Sequence, residues 1–224
     1  MPSERTFFNK AVYKRALSRF WIIGAAYAAV LCFLTLMCGR YINADYADLM
    51  DATEYVSYGI LSNLTRREIF AAAIAAVVMA IAVHSWMFRK TSAAYIAALP
   101  VTREALLISS MLAALTLLIL PCVFAMLVSL LLYGGAGSLW SSSLLYSAVV
   151  VVLMNIAVFG LASFCTVFTG NAAVLPALYV IALYGFVGIE VVVRYIAEFL
   201  LFGVRGTSWE LAILSPVHYF FNNY

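Results

Sequence analysis

Few side chains in this 224-residue sequence have the chemistry to do more than pack, since 66% of it is hydrophobic and only 10% is charged. Four stand out because each interrupts an apolar run: His84, Asn155, Glu190 and Arg194. A histidine there is either a buried, hydrogen-bonded group or one with a proton-relay or ligand role, and the first reading is favoured. Asn155 has the donors and acceptor to bond across to a neighbouring helix, with the lining of a substrate path as the alternative. Glu190, Arg194 and Glu198 follow at intervals of four, which puts them on one helix face as an ion-pair series. The four cysteines, Cys32, Cys38, Cys122 and Cys165, sit in or beside apolar runs with no metal-ligand spacing. The sequence holds no HExxH, no nucleophile elbow, no CxxC and no GxxxxGK[ST]. No catalytic residue, no cofactor-binding residue and no metal ligand is therefore expected, and this chain alone should not hydrolyse ATP.

The remaining polar chemistry is gathered in Phe88–Ser109, FRKTSAAYIAALPVTREALLIS, between two long apolar runs. Arg89, Lys90, Arg103 and Glu104 flank a short apolar-faced segment of Tyr95, Ile96 and Leu99 that ends at Pro100. Proline disfavours α geometry in the residue before it, so a short helix should end near Leu99. A new helix can start just beyond, with Thr102 as its N-cap. The expectation is a membrane-surface helix that docks a partner protein through Tyr95, Ile96, Leu99, Pro100, Arg103 and Glu104. A plain solvated linker is the alternative.

These residues must be held by membrane helices. A mean hydropathy of +1.04 is incompatible with a water-facing surface. The formal charge of +3 is too small and too scattered for nucleic-acid binding, so no nucleic acid is expected as a partner. Residues 1–19 carry Arg5, Lys10, Lys14, Arg15 and Arg19 among apolar residues at helical spacing, which fits an interfacial helix over residues 6–19 on the lipid bilayer. A disordered basic tail is the alternative. Spans are expected at Phe20–Cys38, Ile69–Met87, Ala105–Tyr133, Leu144–Phe168 and Ala172–Ile189, each long enough for ~30 Å of hydrocarbon. Ala72, Ala76, Ala80 and His84 form a stripe along the second, and Gly24 with Ala28 invites close packing of the first. Pro121 should kink the third. The charges after Ile189 suggest a segment at the interface, or one that dips in and returns. The fold class is thus all-α, a polytopic membrane protein of about five transmembrane helices with an N-terminal interfacial helix and a re-entrant segment. The basic N-terminal cluster favours a cytoplasmic N-terminus in the cell membrane.

Three stretches carry a family resemblance. Thr6-Phe7-Phe8-Asn9-Lys10 through Ser18-Arg19-Phe20-Trp21 is similar to the opening of type 2 ABC exporter permeases. Ala98-Leu99-Pro100-Val101-Thr102-Arg103-Glu104 resembles the element those permeases carry between their second and third spans, and Leu214-Ser215-Pro216-Val217 resembles one after the fifth. The resemblance implies a permease domain over residues 1–203, with 204–224 an outer-side tail; the stop before the sixth span of that family fits either a truncated permease or one whose remaining part lies outside this sequence. It implies a coupling helix between spans two and three that docks a cytoplasmic ATPase subunit, which would bind ATP and Mg. It also implies a second permease chain, as homo- or heterodimer. From a different class, the alternative is a membrane scaffold or immunity protein without an ATPase partner.

Overall fold

The computed structural model describes residues 8–45, 53–88, 102–133 and 138–200. Among them the regular structure is five α-helices: α1 (Lys10–Asp45), α2 (Thr53–Val83), α3 (Arg103–Tyr133), α4 (Ser138–Thr169) and α5 (Leu175–Leu200).

The helix ends are chemically marked. Asn9 Oδ1 accepts from the backbone N–H of Ala11 at 2.9 Å and of Val12 at 3.3 Å, which satisfies donors that the first turn of α1 leaves open. Thr102 Oγ1 accepts from Ala105 N–H at 3.3 Å and caps α3 in the same way. Between α4 and α5, Gly170 turns the chain with φ of +56°, a left-handed conformation that glycine adopts without steric cost.

α1 packs against α3 and α2, α2 against α4, and α4 against α3 and α5. The Ala72, Ala76, Ala80 and His84 stripe faces inward, each residue fully buried, and Leu118, Val158 and Phe159 close the core beside it. Small residues let the α2 backbone come near its neighbours, and in lipid that close packing is a main source of helix association. The outer surface is apolar instead of charged: Trp21, Leu120, Leu131 and Phe168 are all exposed. That is an inverted arrangement relative to a water-soluble bundle, and it fits lipid as the solvent.

Among the described residues, three segments are long and apolar enough to cross a membrane: Lys10–Met37, Arg103–Leu132 and Leu144–Thr169. A fourth is added if Leu175–Gly185 and Val187–Ala197, which meet at 52°, are one broken span. This measure, applied to the described residues, therefore counts three or four where five were expected. α2 is left out of either count, although it returns the chain to the end of the bundle where α1 begins, since Asn9 before α1 meets Ser109 of α3 there. Arg66, Arg67 and Glu68 stand together at the head of its apolar part, and Ile69–Val83 rises only roughly 22 Å, short of a ~30 Å core.

The N-terminal region also differs from expectation. From Lys10 onward it is not a separate surface helix: α1 runs unbroken to Asp45, a rise of roughly 54 Å. No glycine or proline lies between Lys10 and Ile23 to interrupt it. The basic residues Lys10, Lys14, Arg15 and Arg19 are exposed along its first three turns. α5 in turn extends past Ile189 through Glu190 to Leu200, bent between Gly185 and Val187. The sequence expectation of a break after the fifth span thus meets a bend inside one helix.

Candidate functional site

Several of the buried polar groups lie along a seam where α1, α2, α3 and α4 meet. Its centre is Asn155 on α4, fully buried. Asn155 Nδ2 lies 3.1 Å from Tyr27 Oη, 3.3 Å from Cys122 Sγ and 3.0 Å from the carbonyl of Val151. An amide nitrogen has two protons, so it serves two of these three acceptors at a time. The Tyr27 hydroxyl donates in turn to Asn155 Oδ1 at 3.3 Å, with Cys122 Sγ 3.7 Å away. Cys122 Sγ also reaches the carbonyl of Leu118 at 3.3 Å. One amide thus joins α1, α3 and α4 through side chains that would each be costly to leave unpaired in an apolar interior.

Below this knot on α2, Thr65 Oγ1 and Ser147 Oγ of α4 are 2.7 Å apart and buried. Glu68 sits one turn further along, only 8% exposed. Together with Ser129, Ser147 and Cys122 it lines a cavity of about 20 Å³. That is room for about one water with polar groups on several sides. On the far side of α2, the Tyr179 hydroxyl of α5 donates to the carbonyl of Ala73 at 3.3 Å.

The residues singled out from the sequence fall in three places. Asn155 is at the centre of the seam. His84 is fully buried just past the end of α2, where its Nδ1 lies 3.0 Å from the carbonyl of Ala80 and its Nε2 has no hydrogen-bond partner among the described residues. A carbonyl only accepts, so Nδ1 carries a proton and donates. Glu190 is buried in the second arm of α5, while the side chain of Arg194 lies outside the described residues. Arg103 and Glu104 are exposed in the first turn of α3. Tyr95, Ile96, Leu99 and Pro100 lie outside the described residues.

Sequence reasoning missed Tyr27, Thr65 and Glu68. Glu68 had a legible signal, because it extends the Ala72, Ala76, Ala80 and His84 stripe by one more step of four. Tyr27 had none, since a tyrosine in an apolar run reads equally as a core ring or a lipid-facing one. Among the described residues, no group of three or more His, Cys, Asp or Glu side chains is placed to hold a metal ion.

At the other end of the bundle, the start of α1 is fastened to the start of α3. Asn9 N–H donates to Ser109 Oγ at 2.8 Å, and the Tyr13 hydroxyl donates to Thr116 Oγ1 at 3.3 Å. The exposed cations at the head of α1 therefore share one end of the bundle with Arg103 and Glu104. α3, which residues 89–101 precede in the sequence, begins at that same end.

Comparison of the chain with family models, with curated proteins and with solved structures gives no match.

Proposed function

We propose that this chain is the membrane-spanning permease subunit of an ATP-driven exporter. It works with a separate cytoplasmic ATPase subunit, which binds ATP and Mg and docks on the segment between α2 and α3. A second permease chain completes the path. The chain lies in the cell membrane with its N-terminus cytoplasmic, and ATP hydrolysis belongs to the partner.

The observation that carries this reading is the pinning of the α1 head onto the α3 head through Asn9–Ser109 and Tyr13–Thr116. It collects Lys10, Lys14, Arg15 and Arg19 with Arg103 at one end of the bundle, as a cytoplasmic face requires. The segment that carries Tyr95, Ile96 and Leu99 directly precedes α3 in the chain. A push or pull on that segment is then transmitted along α3 and α1 into the seam at Tyr27, Cys122 and Asn155. The resemblance of Ala98–Glu104 to the coupling element of type 2 exporter permeases supports the same assignment.

Purification of the tagged chain in mild detergent tests it. A co-purifying subunit that carries a P-loop, and whose ATP hydrolysis changes when the permease is bound, supports the exporter. Recovery of the folded chain without any nucleotide-binding subunit contradicts it.

A further inference from the structure

On the outer side of α1 and α2 lies an open groove of about 600 Å³, within the roughly 300–1,000 Å³ of small-molecule sites. Its α1 wall includes Ile23, Val30 and Leu34, and its α2 wall Phe70, Ile74 and Val78. Exposed apolar side chains are ordinary on a lipid-facing surface and imply nothing by themselves. The head of the groove is what sets it apart. Arg66 and Arg67 both line it, at the end where Leu34 stands, and Arg67 is exposed.

Length narrows the occupant. From Ile23 to Leu34 the groove wall rises roughly 16 Å, about one leaflet of a ~30 Å hydrocarbon core. A second transmembrane helix would call for an apolar contact across the whole bilayer and would bring these arginines against its own apolar surface. A single lipid has the right extent, with its chain along the groove and its headgroup at the mouth. Guanidinium groups recognise phosphate by charge and by paired N–H donors.

We propose that the α1–α2 groove is a specific site for an anionic phospholipid of the leaflet on the side of the α1–α2 connection. Its phosphate is held by Arg66 and Arg67, and one acyl chain lies between Val30 and Ile74. This site goes beyond the exporter assignment and does not depend on an ATPase partner.

The test uses the full chain in mild detergent, stripped of co-purified lipid. Phosphatidylglycerol, phosphatidylcholine and inorganic phosphate are added in separate arms, and retained lipid is read by native mass spectrometry beside the thermal unfolding midpoint. The expected result is a preference of roughly 10- to 30-fold for phosphatidylglycerol over phosphatidylcholine, as two cations near an anionic headgroup provide. Inorganic phosphate should not raise the midpoint, because the acyl chain contributes most of the contact. Arg66→Gln with Arg67→Gln should remove the preference. Ile74→Trp, which fills the groove and keeps both cations, should remove retention. Equal retention of the two lipids by the unaltered chain overturns the proposal without reliance on any variant. So does a preference that survives the double arginine substitution. A cysteine at Ile74 that cross-links to a second copy in place of binding lipid overturns it too.

Discussion

The place where a side chain would begin on Gly24 of α1 is 3.2 Å from the carbonyl oxygen of Leu117 on α3. That carbonyl is the one whose helical donor would be residue 121, and residue 121 is Pro121, which has no N–H. Close approach of α1 thus covers the backbone acceptor that the proline leaves open, at the interface between the two helices. A leucine at position 24 must push α1 away from α3 and so reopen it. Gly24→Leu is therefore expected to destabilise the protein by roughly 1–3 kcal/mol or more, as overpacking does. Gly160, where an added Cβ would meet nothing within 4 Å, is its control. Gly160→Ala should be neutral or stabilising by up to about 1 kcal/mol through helix propensity. Thermal unfolding in detergent compares the two, and equal midpoints would remove the Gly24–Leu117 contact from the account.

Asn155 and Tyr27 should be energetically coupled. Asn155→Ala leaves the Tyr27 hydroxyl and the Cys122 thiol without their amide partner. Interhelical hydrogen bonds in membranes average about 0.6 kcal/mol with larger cases near 1.7 kcal/mol. A cycle of Asn155→Ala, Tyr27→Phe and the double variant should give a coupling within that range. Strict additivity would show that the two groups stand close without depending on each other.

Orientation is open to direct labelling. With the N-terminus inside, a cysteine at Asp48, in the α1–α2 connection, should react with an impermeant thiol reagent on intact cells. One at Thr91, between α2 and α3, should react only after the membrane is opened. The labelling background must first be measured with Cys38, which lies close to the same connection in sequence, replaced by Ser. The reverse pattern would invert the topology and place the docking segment on the wrong side for an ATPase.

Helix positions were legible in the sequence because hydrophobic runs, proline and capping chemistry act locally. Thr102 shows this: a threonine after Leu99-Pro100-Val101 reads as a cap, and its Oγ1 holds Ala105 N–H. The inward face of α2 was legible through its small residues at intervals of four. What remained hidden depends on partners distant in the chain. Nothing near Tyr27 reveals that Asn155, across 128 positions, completes its hydrogen bond. The continuity of α1 was hidden for another reason. Basic residues followed by an apolar run suit a surface helix plus a span as well as one long helix, and only the lack of any breaker before Gly24 separates them. The groove headed by Arg66 and Arg67 needed two helices side by side before it existed at all.

The central claim is that work reaches the α1–α3 pair through the segment between α2 and α3. On the proposed docking, Tyr95, Ile96 and Leu99 are its apolar anchors, and truncating such anchors commonly costs more than ~1 kcal/mol at an interface while rim charges contribute less. The measurement is the amount of ATPase subunit retained by Tyr95→Ala with Leu99→Ala, set against Lys90→Ala, each normalised to folded permease in the membrane fraction. The account predicts that the double variant inserts normally and loses most of the subunit, whereas Lys90→Ala retains it. Full retention by the double variant would contradict it.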